Sequence, residues 1–222
     1  MQAVILAAGQ GLRLRPFTEH SPKALVPVNN QPLIFHTLQS LPDSISEIII
    51  VVGYLGQQIV DQVGTSYNTI PIHYCWQNEL LGTGDALLQA KDVLRDSFLV
   101  LNGDDLYNKQ DLTALISHPW AMLAWQSTTQ SEFGLQVKDQ VLIGFEENSS
   151  LLNCGAYVLQ KSFFDKPLAE ITVHNKTEYS LPHTLVAMAA DTTITALTAR
   201  FWLPIGTPEQ LAFANAYLSR KQ

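Results

Sequence analysis

Three stretches of the chain are apolar almost without interruption: QAVILA at 2–7, EIIIVVG at 47–53 and SFLVLNG at 97–103. Continuous apolar runs bounded by polar turns are the pattern of strands buried on both faces, as in a parallel sheet covered by helices. IPIHYCW at 70–76 predicts a further strand. Between these runs lie segments with helical spacing: QPLIFHTLQSL (31–41), with Pro32 placed for a first turn, LGQQIVDQV (55–63), and TGDALLQAKDVL (83–94), with Thr83 as a candidate N-cap. Strand and helix alternating at this pitch predict right-handed crossovers and an open α/β sheet. Beyond about residue 120 the texture changes. MLAWQ, FGLQVK, QVLIGF and LNCGAYVL read as strands, and FGLQVKDQVLIGF as a hairpin turning near Asp139. TPEQLAFANAYLS (207–219) predicts a last helix with Thr207 as N-cap and Pro208 at the first helical position. No repeat, low-complexity tract or linker divides residues 1–222, so one domain is expected.

In an open α/β sheet ligands sit at the carboxyl ends of the strands, and Gly9, Gln77 and Asp104 each fall just after a predicted strand. The first of these junctions, LAAGQGLRLRPFTEHSPKAL, carries Gly9 and Gly11, which let main-chain amides approach an anion, together with Arg13, Arg15 and Lys23. Two common phosphate motifs fail. The dinucleotide fingerprint needs a glycine where Leu14 stands and a helix at once, and no Gly-Lys-Ser/Thr follows for a P-loop. Pro16, Pro22 and Pro27 instead prescribe a long loop. Three cations beside two glycines favour a polyphosphate over a neutral ligand.

Composition sharpens this. With 20 acidic and 13 basic side chains the net charge is -7, which argues against nucleic acid or an anionic membrane as partner and makes the basic loop a local exception. Cys75 and Cys154 form no disulfide framework or zinc pattern. The apolar AVILAA begins at residue 3 with no basic stretch before it and is too short to span a membrane, so a cytoplasmic address is expected.

Three spaced segments carry a family resemblance. LAAGQGLRLRPFTEHSPKALVPV (6–28) resembles the opening of the sugar-1-phosphate nucleotidylyltransferases, roughly LAAGxGTRLxPLTxxxPKxLxPV. QNELLGTGDAL (77–87) is similar to that family's base-reading segment, and VLNGDDLY (100–107) to its strand-end Gly-Asp. The resemblance implies a Rossmann-like fold: an open, mixed, mainly parallel sheet flanked by helices, with a nucleotide-binding half (1–118) and an acceptor-binding half (119–222). It implies an enzyme that joins a nucleoside triphosphate, here UTP, to a sugar 1-phosphate and releases pyrophosphate. Leu6, Ala7, Ala8, Gly9, Gly11, Gln77, Gly82 and Thr83 would bind the nucleotide. Arg13 would hold the departing phosphates, Lys23 the phosphate under attack, and Asp104 would ligate Mg²⁺. The physical chemistry agrees, since phosphoryl-group transfer needs charge neutralised more than it needs a protein nucleophile. A planar amide at Gln77 can both donate and accept against an imide base edge such as uracil.

The acceptor half is less faithful. FGLQVKDQVLIGFEENSS (133–150) resembles the family hairpin ending in Glu-Lys-Pro, and Gly134 and Glu147 fit it, but Asn148 and Ser149 replace the lysine and proline. LNCGAYVL maps Asn153 and Gly155 onto sugar-contacting positions. FWLPIGTPEQL (201–211) resembles W-x-D-(I/V)-G-T-P-E-x-L, with Pro204 in place of the aspartate that usually completes the metal site. The segment EYSLPHTLVAMA resembles that of the N-acetylmuramic acid 1-phosphate uridylyltransferases, which also lack the lysine. The chain also resembles mannose-1-phosphate guanylyltransferase-like proteins. Two other readings stay open: a silent nucleotide-binding homologue, motivated by Pro204, and a transferase acting on a small non-sugar phosphate such as phosphocholine. The sequence does not give the oligomeric state.

Overall fold

The computed structural model describes residues 1–131, 133–173 and 175–220. Its frame is one sheet of ten strands, which we number in chain order: β1 Gln2–Ala7, β2 Glu47–Val52, β3 Ser66–Tyr67, β4 Ile70–Trp76, β5 Ser97–Asn102, β6 Ala121–Ser131, β7 Gly134–Lys138, β8 Val141–Glu146, β9 Ser149–Gln160 and β10 Thr195–Thr198. They lie in the order β7-β8-β10-β6-β9-β5-β1-β2-β4-β3. The run β5-β1-β2-β4 is parallel, as its buried apolar runs predict, whereas β9 enters antiparallel between β5 and β6. The architecture is the expected open mixed α/β sheet flanked by helices.

Alternate residues of each central strand feed two cores. Ala3, Ile5, Ile48, Ile50, Leu99 and Leu101 pack on one face, and Val4, Leu6, Ile49, Val51, Phe98 and Val100 on the other. Removing both faces of a strand from water is what an uninterrupted apolar run requires. The parallel registers Leu6↔Asn102, Ala7↔Val52 and Val52↔Trp76 bring three strand ends to one level. The loops after Ala7, Trp76 and Asn102 therefore emerge on a common rim.

The helices are α1 Leu33–Gln39, α2 Gly56–Val63, α3 Thr83–Leu88, α4 Lys109–Leu115, α5 Leu181–Met188 and α6 Pro208–Ser219. Two expectations are corrected. The helix from Thr83 ends at Leu88 and gives way to a separate 3-10 turn over Lys91–Val93. Thr83 is the first helical residue and Gly82, at φ 92, is the N-cap; the Thr83 hydroxyl instead accepts from Leu181 N at 3.1 Å. Pro32 likewise precedes its helix as N-cap. Thr207 caps α6 as expected, its hydroxyl accepting from Gln210 N. Two helices carry cap signals that the apolar spacing did not show. Asn108 Oδ1 accepts from Gln110 N at 2.7 Å to start α4, and Ser180, with Pro182 in the first turn, starts α5. The turn at Asp139–Gln140 has both residues at positive φ (51 and 63), the two-residue connection whose twist suits a hairpin.

Outside the sheet, a two-stranded ribbon pairs Asp105–Tyr107 with Trp202–Pro204, and a hairpin pairs Ala169–Val173 with Lys176–Ser180. Gly155, in β9, has φ +66, and a Cβ there would come within 2.0 Å of Asn102 Nδ2. Replacing Gly155 with Ala is expected to lower stability by about 2–4 kcal/mol, because an unfavourable φ and a steric overlap coincide. Equilibrium urea denaturation at unchanged m-value checks this.

Candidate functional site

The basic loop is folded by its own contacts. Gly11 lies in the left-handed region (φ +62), and a Cβ there would press on Lys23 and Thr18 side chains at 3.1 Å. Thr18 Oγ1 donates to Gly11 O at 2.8 Å, and the Tyr54 hydroxyl, just beyond β2, donates to Glu19 O at 2.9 Å. Gly9 is different: a Cβ there would meet no protein atom within 4 Å, so nothing in the fold itself requires glycine. Leu6, Ala7 and Ala8 are buried, and the carbonyls of Leu6 and Ala8 accept from Gly103 N (2.9 Å) and Tyr54 N (3.0 Å). The first junction is thereby stitched to the chain just beyond β5 and just beyond β2.

Lys23 and Asp104, far apart in sequence, form an ion pair across the rim, with the lysine head mostly buried and the carboxylate partly in water. Arg13 leaves the same loop in another direction. A Cβ on Gly206 would lie 3.2 Å from Arg13 Nη2, which puts the guanidinium against the turn before α6. Lys23 and Arg13 thus bracket the rim between Asp104 and Gly206. Arg15 is exposed.

Asp104 and its neighbour behave oppositely. Asp105 is buried, accepts from Trp202 Nε1 at 3.2 Å and lies 3.4 Å from the Tyr107 hydroxyl. Burial first, then the charge of Asp104, push its carboxyl well above the usual range, with Lys23 pulling the other way. Burial and the same two aspartates raise the Tyr107 phenol, which reaches Cys154 O at 3.0 Å. Pro204 is the cross-strand partner of Asp105, and Ile205 N donates to Asp104 O at 3.3 Å. Residue 204 therefore stands beside the aspartate pair, where a carboxylate would have added to it. Asp111 on α4 holds this ribbon in place, accepting from Arg200 N at 2.8 Å and Phe201 N at 3.3 Å. Among the described residues no group of three His, Cys, Asp or Glu side chains is placed to hold a metal, and of the aspartate pair Asp104 is the partly exposed member.

At the β4 end, Gln77 is buried and its amide nitrogen donates to Gly82 O at 3.0 Å and Asp85 Oδ2 at 2.8 Å. Gly82 and Gly84 lie against the main chain of Tyr179; Cβ atoms there would come within 2.6 Å and 3.0 Å of Tyr179 O. Tyr179 N donates to Leu81 O at 2.7 Å. The structure thus brings Gly9, Gly11, Arg13, Lys23, Asp104 and Gln77 to one rim.

The expected acceptor residues are spread along β7 to β9. Gly134 is buried against Ser149, whose Cβ would be 2.4 Å from one placed on it. Glu147 is exposed in the turn before β9, and Asn148 beside it has φ 60, a conformation asparagine tolerates better than the lysine it replaces. Asn153 is used internally: Nδ2 donates to the Tyr157 hydroxyl at 2.7 Å and Oδ1 accepts from Gly155 N at 3.1 Å. The sequence reading passes over Asp85 and Asp111 and gives Asp105 no role beside Asp104. Nothing local marks these three carboxylates, which become informative only once their burial is known.

Compared with known families, residues 2–221 match the nucleotidyl transferase family. The chain is 31% identical over 229 residues to the bifunctional protein GlmU of Methanocaldococcus jannaschii, covering 100% of this chain and 55% of that protein. It is 31% identical over 242 residues to GlmU of Thermus thermophilus, with 98% and 52% covered. Over 109 residues it is 40% identical to the UTP–glucose-1-phosphate uridylyltransferase AglF of Haloferax volcanii, taking in 49% of this chain and 45% of that one. The chain spans about half the length of the two GlmU relatives. A solved Bacillus anthracis structure, assigned as a glucose-1-phosphate thymidylyltransferase, shares the fold. Its TM-score is 0.83 at 22% identity, with 100% of this chain and 96% of that one covered.

Loss of Asp105 and loss of Lys23 predict costs of different size. Asp105→Ala removes a buried carboxylate that accepts from Trp202 Nε1 and the Tyr107 hydroxyl and is expected to cost about 2–3 kcal/mol. Lys23→Met keeps the packed stem and breaks only a partly solvated pair, for about 1 kcal/mol or less. Chemical denaturation of both variants checks the order.

Proposed function

The chain belongs to the nucleotidyl transferase family, and from that premise we propose that it couples UTP to a sugar 1-phosphate, giving a nucleotide sugar and pyrophosphate. The observation that carries the reading is the Lys23–Asp104 pair, with Gly11 against Lys23, on the rim of strand ends that also carries Gly9: an anion-accepting cation, a carboxylate and an unobstructed main chain on one rim. The named activity of the relative AglF supports the same class of reaction.

In this reading the main chain at Gly9 and Gly11 receives the triphosphate, with no Cβ at position 9 to hinder approach. Lys23 binds the α-phosphate and offsets the negative charge that builds on its oxygens as the acceptor's phosphate oxygen attacks in line. Arg13, held at the Gly206 turn, receives the departing pyrophosphate. No covalent enzyme intermediate is needed. The residues fit one Mg²⁺, held by Asp104, phosphate oxygens and water, since this ion commonly takes one or two carboxylates with substrate phosphates. When bound it would supply charge neutralisation on the triphosphate. Gln77 and the amides near Gly82 and Thr83 face the base. Glu147, Gly134, Asn153 and Gly155 belong to the acceptor side, with no lysine at 148 to grip the sugar phosphate.

A second reading rests on Pro204. A chain that binds nucleotide without turnover would show thermal stabilisation by a nucleoside triphosphate and no pyrophosphate.

Purified protein with Mg²⁺ is expected to release pyrophosphate from UTP in the presence of a sugar 1-phosphate. Silence across a panel of triphosphates crossed with sugar 1-phosphates would sink the transfer reading. Lys23→Met is expected to lower kcat/KM about a hundredfold or more. Pro204→Asp, by adding a carboxylate beside Asp104, is expected to reduce the Mg²⁺ concentration for half-maximal rate severalfold; a metal titration of both proteins decides it.

A further inference from the structure

The Gln77 amide has a fixed polarity. Its nitrogen sits 3.0 Å from Gly82 O and 2.8 Å from Asp85 Oδ2, and neither a carbonyl nor a carboxylate can donate. Turning the amide over would set its oxygen against both acceptors. The orientation is therefore dictated by its neighbours. Asp85 is itself held, because Gln89 Nε2 donates to Asp85 Oδ1 at 3.2 Å and to Asp85 O at 3.3 Å. The Gln77 main chain is fixed too, through Gln77 N to Val52 O at 2.8 Å.

What remains of Gln77 is Oε1. Among the described residues it has no hydrogen-bond partner, yet it is not among the buried unpartnered side-chain atoms, of which Thr37 Oγ1 is the example. Oε1 thus reaches solvent at the rim although the residue is only 4% exposed. A glutamine with both donors committed cannot donate to a ligand.

We propose that Asp85 is the positioning residue that sets base selectivity: by holding the Gln77 nitrogen inward, it leaves the Gln77 side chain with only an acceptor to offer the nucleobase. This rests on the nucleotidyl transfer reading above and extends it. An acceptor at that place matches a ring N–H, which uracil and thymine carry at N3 and guanine at N1. In the pose in which Oε1 faces the ring nitrogen, cytosine N3 and adenine N1 would meet it lone pair to lone pair, and their exocyclic amines could reach Oε1 only if the ring shifted along its edge. Such a mismatch leaves two polar atoms unsatisfied, the kind of contrast by which sites reject near-isosteric ligands. The site therefore takes triphosphates of ring N–H bases and disfavours CTP and ATP.

The test uses the full chain and measures pyrophosphate release and nucleotide binding with UTP, 5-methyl-UTP, 3-methyl-UTP and CTP. The 5-methyl compound should match UTP, while 3-methyl-UTP and CTP should fall roughly tenfold or more in kcat/KM. Asp85→Ala should reduce the UTP-to-CTP ratio by roughly tenfold, mainly through KM for UTP, whereas Asp85→Asn, which still offers an oxygen to Gln77, should keep most of it. A merely structural role would lower activity with both nucleotides and leave the ratio alone. If Asp85→Ala does not fold, the methyl-UTP comparison on the unaltered protein carries the decision. Equal use of UTP and 3-methyl-UTP, or an unchanged ratio in a folded Asp85→Ala, overturns the proposal while nucleotidyl transfer stands. Turnover of CTP or ATP in preference to UTP does the same. Absence of both binding and turnover with every triphosphate overturns the transfer reading and this one together.

Discussion

The molecule depends on the register of its parallel strands. Hydrogen bonding pairs Ala7 with Val52, Val52 with Trp76 and Leu6 with Asn102, so strands from distant parts of the chain end at one level. A strand's side chains alternate between faces, so a slip by one residue would turn each apolar run to the wrong core. The same pairing that fills two cores thus fixes where three loops emerge. The loops add their own ties, Gly103 N to Leu6 O and Tyr54 N to Ala8 O, and the ion pair of Lys23 with Asp104 closes the arrangement over the rim.

Much of this could be read from the sequence because burial on two faces leaves so plain a trace. QAVILA, EIIIVVG, IPIHYCW and SFLVLNG read as strands of one sheet, which is enough to put Gly9, Gln77 and Asp104 just past strand ends. Short elements were harder. α4 and α5 owe their starts to side-chain caps at Asn108 and Ser180, and β10 has only four residues, too few for a period to declare itself. Thr83 was misplaced by one position because Gly82, with its positive φ, turns the chain just before it. Its hydroxyl was then free to bond Leu181 N, a partner nearly a hundred residues on that no local rule supplies. The polarity of Gln77 was equally hidden, since an isolated glutamine donates and accepts, and only Asp85 and Gly82 O decide which end faces out.

The two sides of the rim differ in how much protein they commit. On the side of the basic loop, the loop itself, the ion pair and the Arg13 contact with Gly206 come from separate elements that converge. On the side of the ribbon, Trp202 and Tyr107 are both turned onto Asp105, which is buried and held for packing, and the facing position is a proline. The chain thus keeps an aspartate pair in which one member is structural and the other stands in water.

Gly82 and Gly84 carry a last implication. Tyr179 O lies so close to both that any side chain would collide with main chain from the hairpin before α5. A Gly-Thr-Gly match in another chain therefore carries two signals at once. It would persist in a descendant that had abandoned nucleotides altogether, because the packing alone forbids drift at these positions. Gly9, where no protein atom forbids a side chain, is the more telling letter when distant sequences are sorted into those that still hold a triphosphate and those that merely keep the shape.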